Sequence, residues 1–187
     1  MSDHVLEFAL ASHQVEATTT LARELGGTIY TDHRDDPSKL PFAALACVVS
    51  DNVELLQAQA DVGLYVICRR VIKPGQASVY GLFPLIHHPD KSHTESDTHW
   101  RDAHGPLALK HHIHMSHYVQ LSVVATLKGP DIDGFALCGF NTLSDLKERF
   151  FTTPESVAII RKDVASFADT NNSPRRLIAT PTDFSLS

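Results

Sequence analysis

Cysteine is scarce in this chain: Cys47, Cys68 and Cys138 are the only three in 187 residues. Their odd number and wide spacing exclude a disulfide framework and fit a reducing cytoplasm. Each has apolar neighbours, so each reads as a small hydrophobe packed in the core. Glycine (nine) and proline (ten) are too few for a collagen-like or low-complexity chain. No run approaches the roughly 18 uncharged apolar residues of a membrane span. The start, Met1-Ser-Asp-His-Val5, lacks the basic and apolar regions of a signal peptide. Positive charge is thin as well, with 16 Lys and Arg against 22 Asp and Glu, a net charge of −6. Phosphate backbones and anionic surfaces are bound by clustered cations, so neither nucleic acid nor membrane is an expected partner.

What the chain does have is apolar content and histidine. With 43% apolar residues, it can bury a core without staples. There are twelve histidines, and nine of them fall in one stretch: His87, His88, His93, His99, His104, His111, His112, His114 and His117. They are interleaved with apolar residues, unlike a tag. The phosphate-cradling glycine loop, the nucleophile elbow, Cys-x-x-Cys and the dinucleotide fingerprint are all missing.

Periodicity predicts two rounds of the same element order. Val5–Ala11 reads as a strand, and His13–Leu25 as a helix stopped by Gly26-Gly27. Thr28–Thr31 is a short strand and Phe42–Val49 a third. A helix near Val53–Ala60 follows, capped by Asn52 or Asp51, and then strand Leu64–Ile72. After the turn Lys73-Pro-Gly-Gln76, strands are expected at Ser78–Ile86, Tyr118–Ala125, Phe135–Phe140 and Arg175–Thr180. Helices are expected at Ser96–His112, Leu143–Phe151 and Glu155–Phe167, with Thr142 and Thr153-Pro154 as starts. This βαββαβ order, read twice, is α+β: two tandem ferredoxin-like halves, residues 1–75 and 78–187. Each sheet would carry helices on one face and cover the other with its partner sheet, a barrel-like pair within one chain.

In the second half, Trp100, His104, Leu107 and His111 share one face of an α-helix, and His99 sits about 100° away. Pro106 should kink this helix or free a carbonyl. On the following strand Tyr118, Gln120 and Ser122 alternate onto one face. A His-bearing helix above a polar, aromatic strand face makes a pocket in which imidazole relays protons near neutral pH. The plainer reading makes Trp100 a core anchor and has Tyr118 and Gln120 fill a sheet surface. His87, His88 and His93 read as exposed loop residues, and Asp163 as a helix-surface carboxylate. A rival reading makes His111-His112-Ile-His114-Met-Ser-His117 a metal site, but no Cys or Glu completes a ligand spacing, and no metal is expected.

The stretch Thr98-His-Trp-Arg-Asp-Ala-His-Gly-Pro-Leu-Ala-Leu-Lys110, with Tyr118-Val-Gln120, resembles the EthD family. Asp133-Gly-Phe-Ala136, Phe151-Thr-Thr-Pro154 and Asp163-Val-Ala-Ser-Phe167 resemble its later elements, so the likeness spans about residues 78–180. The first half resembles the family in element order only and lacks a His-Trp pair. The resemblance implies a dimeric α+β barrel, formed here as an internal pseudo-dimer or by a homodimer. It also implies chemistry on small cyclic or aromatic metabolites, as a cofactor-free lyase or isomerase. His104 would be the general acid/base, His99 a second proton relay, and Tyr118 would orient a substrate oxygen. Trp100, Gln120 and Phe135 would bind the substrate. The alternative the family implies is a non-catalytic binding or accessory protein of an oxygenase or degradation pathway.

Overall fold

The computed structural model describes residues 6–34 and 36–185. Met1–Val5, Asp35, Leu186 and Ser187 lie outside the described residues, including Val5, the expected start of the first strand. The fold class is the expected one, α+β, with eight strands among the described residues. The chain forms two compact units: Met1–Cys68, Val123–Asp131 and Leu177–Ser187 make the first, Arg69–Ser122 and Ile132–Arg176 the second.

The first unit contains β1 (Leu6–Ser12), α1 (Val15–Glu24), β2 (Thr28–Asp32), β3 (Ala44–Ser50), α2 (Val53–Gln59), the start of β4 (Gly63–Lys73) and β8 (Leu177–Asp183). β1 lies between β3 and β4, and β3 pairs with β2, all antiparallel. That is the 4-1-3-2 order of a ferredoxin-like unit, with β8 added on the far edge of β2. Alternation puts Phe8, Leu10, Ile29, Ala46 and Val48 on one face, against Leu21 of α1 and Leu56 of α2. Asn52 caps α2 by accepting the Leu55 N–H at 3.0 Å. α1 ends where Gly26 takes φ 67°, a left-handed conformation that a side chain would oppose.

The second unit contains the remainder of β4, β5 (Val79–Leu85), α3 (His93–His99), α4 (Gly105–His111), β6 (His117–Lys128) as far as Ser122, β7 (Gly134–Phe140), α5 (Leu143–Glu148) and α6 (Pro154–Phe167). β7 pairs antiparallel with both β5 and β6, with Tyr118 opposite Cys138 and Gln120 opposite Ala136. α6 packs on α3, on α4 and on the turn between them. Thr142 and Thr153 cap α5 and α6 as their sequence implies. Cys47 and Cys138 are buried, but Cys68 is exposed, because its strand position points away from the packed face. Among the described residues, no helix is long and apolar enough to cross a membrane.

Candidate active site

The helix bearing the His-Trp pair starts three residues earlier than its periodicity suggests. Ser92 and Glu95 form a reciprocal capping box, so His93 opens α3 and does not lie in a loop. After His99 the helix widens into one π turn, Trp100–His104, closed by the Gly105 N–H on the Trp100 carbonyl, and then resumes as α4 with Pro106 in its first turn. Pro106 has no N–H for a carbonyl four residues back, so a wider turn at its N-terminal side relieves the mismatch. In a regular α-helix, residues five apart point about 140° away from each other. A turn that closes on the fifth residue brings His99 and His104 onto one side instead.

Both imidazoles meet one carboxylate. His99 Nε2 lies 2.8 Å from Asp163 Oδ1, and His104 Nδ1 lies 2.7 Å from Asp163 Oδ2. Asp163 is not a surface residue: its side chain is 16% exposed, because α6 packs against the π turn. Burial would raise its carboxyl, but the hydrogen bonds from His104 and His99 outweigh that and hold it below the usual carboxylate range. A carboxylate only accepts, so the facing ring nitrogens carry the protons, and neutral His104 presents the Nε2 lone pair. Phe167 backs both rings at 5.2 Å between centroids.

His104 lines a cavity of about 540 Å³, within the roughly 300–1,000 Å³ range of small-molecule sites. Its walls are mainly aromatic and aliphatic, with Phe83, Trp100, Phe150, Phe151 and Phe167 prominent. His112 joins His104 on this wall, and Arg161 is the one fixed charge among the lining residues described. His99 lies on the other carboxylate oxygen, 30% exposed, and does not line the cavity.

Trp100 is both anchor and wall. Its indole N–H donates to the Tyr118 hydroxyl at 3.1 Å, and Arg70 sits 5.3 Å over its ring. Arg70 is itself clamped by a bidentate pair to Asp97 at 2.7 and 2.8 Å. Ser122 also donates to Asp97, and Gln120 donates to the Trp100 carbonyl and the Tyr118 hydroxyl. The predicted polar strand face therefore does lie against the helix. Its hydrogen bonds hold that helix, however, while Gln120 Oε1 is buried without a hydrogen-bond partner among the described residues. Tyr118, Gln120 and Phe135 are at most 1% exposed and do not line the cavity. Burial also pushes the Tyr118 hydroxyl upward, away from ionisation.

The other histidines disperse. Asp133 binds the His87 backbone N–H at 2.6 Å and faces the rings of His87 and His93 at 2.9 and 2.7 Å, so neither is a free loop residue. His111 pairs with Ser156, His112 with the Phe150 carbonyl, and His117 with the Tyr80 hydroxyl, three separate places. Among the described residues, no three His, Cys, Asp or Glu side chains are grouped to hold a metal ion. Sequence reading missed two groups here. Asp163 had a signal, its place four residues before Phe167 on one helix face. For His112 there was none, since its role comes from the loop after α5.

Residues 88–171 match the EthD domain family. No curated protein matches the chain. Among solved structures, an anthrone oxidase-like protein superposes with a TM-score of 0.55 at 10% identity, covering 99% of this chain and 95% of the other. A candidate monooxygenase from Lactobacillus acidophilus NCFM gives 0.52 at 9% identity, with 97% and 96% covered. At such identities the likeness concerns the fold. The segment holding His99, Trp100, His104, His112 and Asp163 thus lies within the stretch that matches the EthD domain family.

Proposed function

We propose that this protein is a cofactor-free lyase or isomerase of the dehydratase type, acting on a cyclic or aromatic metabolite in the cytoplasm through His104. The observation that carries the reading is a carboxylate shared by two imidazoles, one of which opens onto an apolar cavity large enough for fused rings. With its Nδ1 proton held on Asp163, His104 takes a proton at Nε2 from a carbon next to a carbonyl. The imidazolium so formed rests against the Asp163 carboxylate. It then returns the proton to a β-hydroxyl, which leaves as water. One C–H and one C–O bond break and one C=C bond forms. An isomerase would return the proton to a second carbon. His99 acts as a positioning residue, holding Asp163 from its partly exposed side. Trp100 supplies a rigid wall. The free cysteines fit a reducing compartment.

A test substrate is 3-hydroxy-1-tetralone, whose loss of water gives 1-naphthol, followed by absorbance. General acid–base catalysis contributes about 10²–10⁴-fold, so His104→Ala should lose at least 100-fold in turnover. Its melting temperature should stay near that of the unaltered protein, and Asp163→Asn should lose activity in the same direction. Turnover retained in folded His104→Ala would overturn the role. Saturable binding of hydroxy-ketones with no product, in unaltered protein, would instead favour carriage of a ligand for an oxygenase or degradation system.

A further inference from the structure

His112, the residue that ends α4, is a second imidazole on the cavity, and the acid–base reading leaves it unused. It is 4% exposed. Its Nδ1 lies 2.6 Å from the Phe150 carbonyl oxygen, which only accepts, so Nδ1 carries the proton and Nε2 carries a lone pair. The ring is fixed between Phe150, edge-on at 4.6 Å, and Phe151 at 5.1 Å. Nε2 has no hydrogen-bond partner among the described residues, although His112 lines a cavity whose walls, His104, Arg161 and Thr170 apart, are apolar. The charged and titratable groups that act on it are His104 and His111, and among the described residues no carboxylate touches it. Burial pushes its imidazole down to about 4, so it stays neutral when His104 is at work.

We propose that His112 Nε2 accepts a hydrogen bond from a hydroxyl of the ligand, so that the cavity selects hydroxylated aromatic compounds over their O-methylated counterparts. The inference rests on the reading of this cavity as the ligand site, and it holds whether or not the ligand is turned over. A buried acceptor left without its donor costs binding free energy, which is why such sites discriminate strongly against analogues lacking the group.

The probes are 1-naphthol and 1-methoxynaphthalene, compared by equilibrium dialysis with full-length protein. The unaltered protein should bind 1-naphthol at least 10-fold more tightly. His112→Asn keeps an amide N–H near the Phe150 carbonyl but removes the acceptor, and should erase the preference. His112→Gln places an amide oxygen near the former Nε2 and should keep part of it, and His104→Asn should leave it intact. In the unaltered protein, the His112 Nε2 ¹⁵N resonance should move with 1-naphthol and not with 1-methoxynaphthalene, a reading that needs no variant. A preference unchanged in His112→Asn, one lost in His104→Asn, or an unmoved resonance with 1-naphthol bound would overturn the proposal. If neither probe binds, the cavity reading falls with it. An unaltered protein that shows the preference but turns over no hydroxy-ketone would overturn only the catalytic reading.

Discussion

Two imidazoles on one cavity are set apart by what each nitrogen faces. His104 faces a carboxylate and His112 faces a carbonyl inside an aromatic cage. The difference carries a pH signature. His112 sits at about 4 in the folded protein, against 6.5 for an unperturbed histidine. Between those values the unfolded chain binds a proton that the folded chain does not, so stability falls as pH drops through the window. At about 1.4 kcal/mol per unit, the loss is about 3 kcal/mol by pH 4. Asp163 works in a lower window: its depressed carboxyl contributes above the unfolded carboxylate value and is lost only below it. Denaturant unfolding at pH 7, 5.5 and 4.5 should therefore show a shallower stability loss for His112→Asn than for the unaltered protein. Identical slopes would remove the buried neutral imidazole from the account.

The helix from His93 to His111 depends on its one π turn and on the strand beneath it. Pro106 announces a departure from α geometry, and the structure resolves it as a widened turn that joins His99 to His104. Where such a turn falls is decided by the partners that compensate it: Gly105 and Gln120 both donate to the Trp100 carbonyl. Trp100 in turn needs Gly134, since a Cβ there would lie 2.5 Å from its ring. This gives the Asp133-Gly134 opening of β7 a packing reason. Gly134→Ala should cost about 1–3 kcal/mol by overpacking. Because Trp100 is the sole tryptophan, its fluorescence should shift with the loss. An unshifted spectrum with full stability would mean that the ring has room.

At the level of the entire chain, element order and unit membership part company. The order βαββαβ is present twice, but the first unit takes residues 123–131 and 177–187 as well as its contiguous N-terminal segment. β8, last in sequence, covers the edge of β2, and the Ile178 N–H donates to Asp32 across that pair at 2.9 Å. The ferredoxin-like halves 1–75 and 78–187 remain a proposal about ancestry of form, and they carry a test. A fragment of residues 1–75 lacks β8, so β2 would present an open edge, which invites association. We expect that fragment to associate or to melt without cooperativity in circular dichroism. A monomeric, cooperatively folding fragment would show β8 to be dispensable.

Element identity was legible because it depends on near neighbours. The alternating apolar residues of β1 and β3, the Asn52 and Thr153 caps and the Gly26 stop act within one turn or one strand. The His-Trp helix and Asp163-to-Phe167 pattern were legible for the same reason, and both fall within the stretch that matches the EthD domain family. What side chains meet across that region was not. Tyr118 and Gln120 alternate as expected, yet the Tyr118 hydroxyl and the Gln120 amide N–H are turned to Trp100 and not to the cavity. Asp163 becomes a bridge only because α6 lies over a widened turn, and His112 becomes an acceptor only because a loop 38 residues later presents the Phe150 carbonyl. Local spacing determines which residues share a face, whereas long-range packing decides what that face meets and therefore which nitrogen holds the proton.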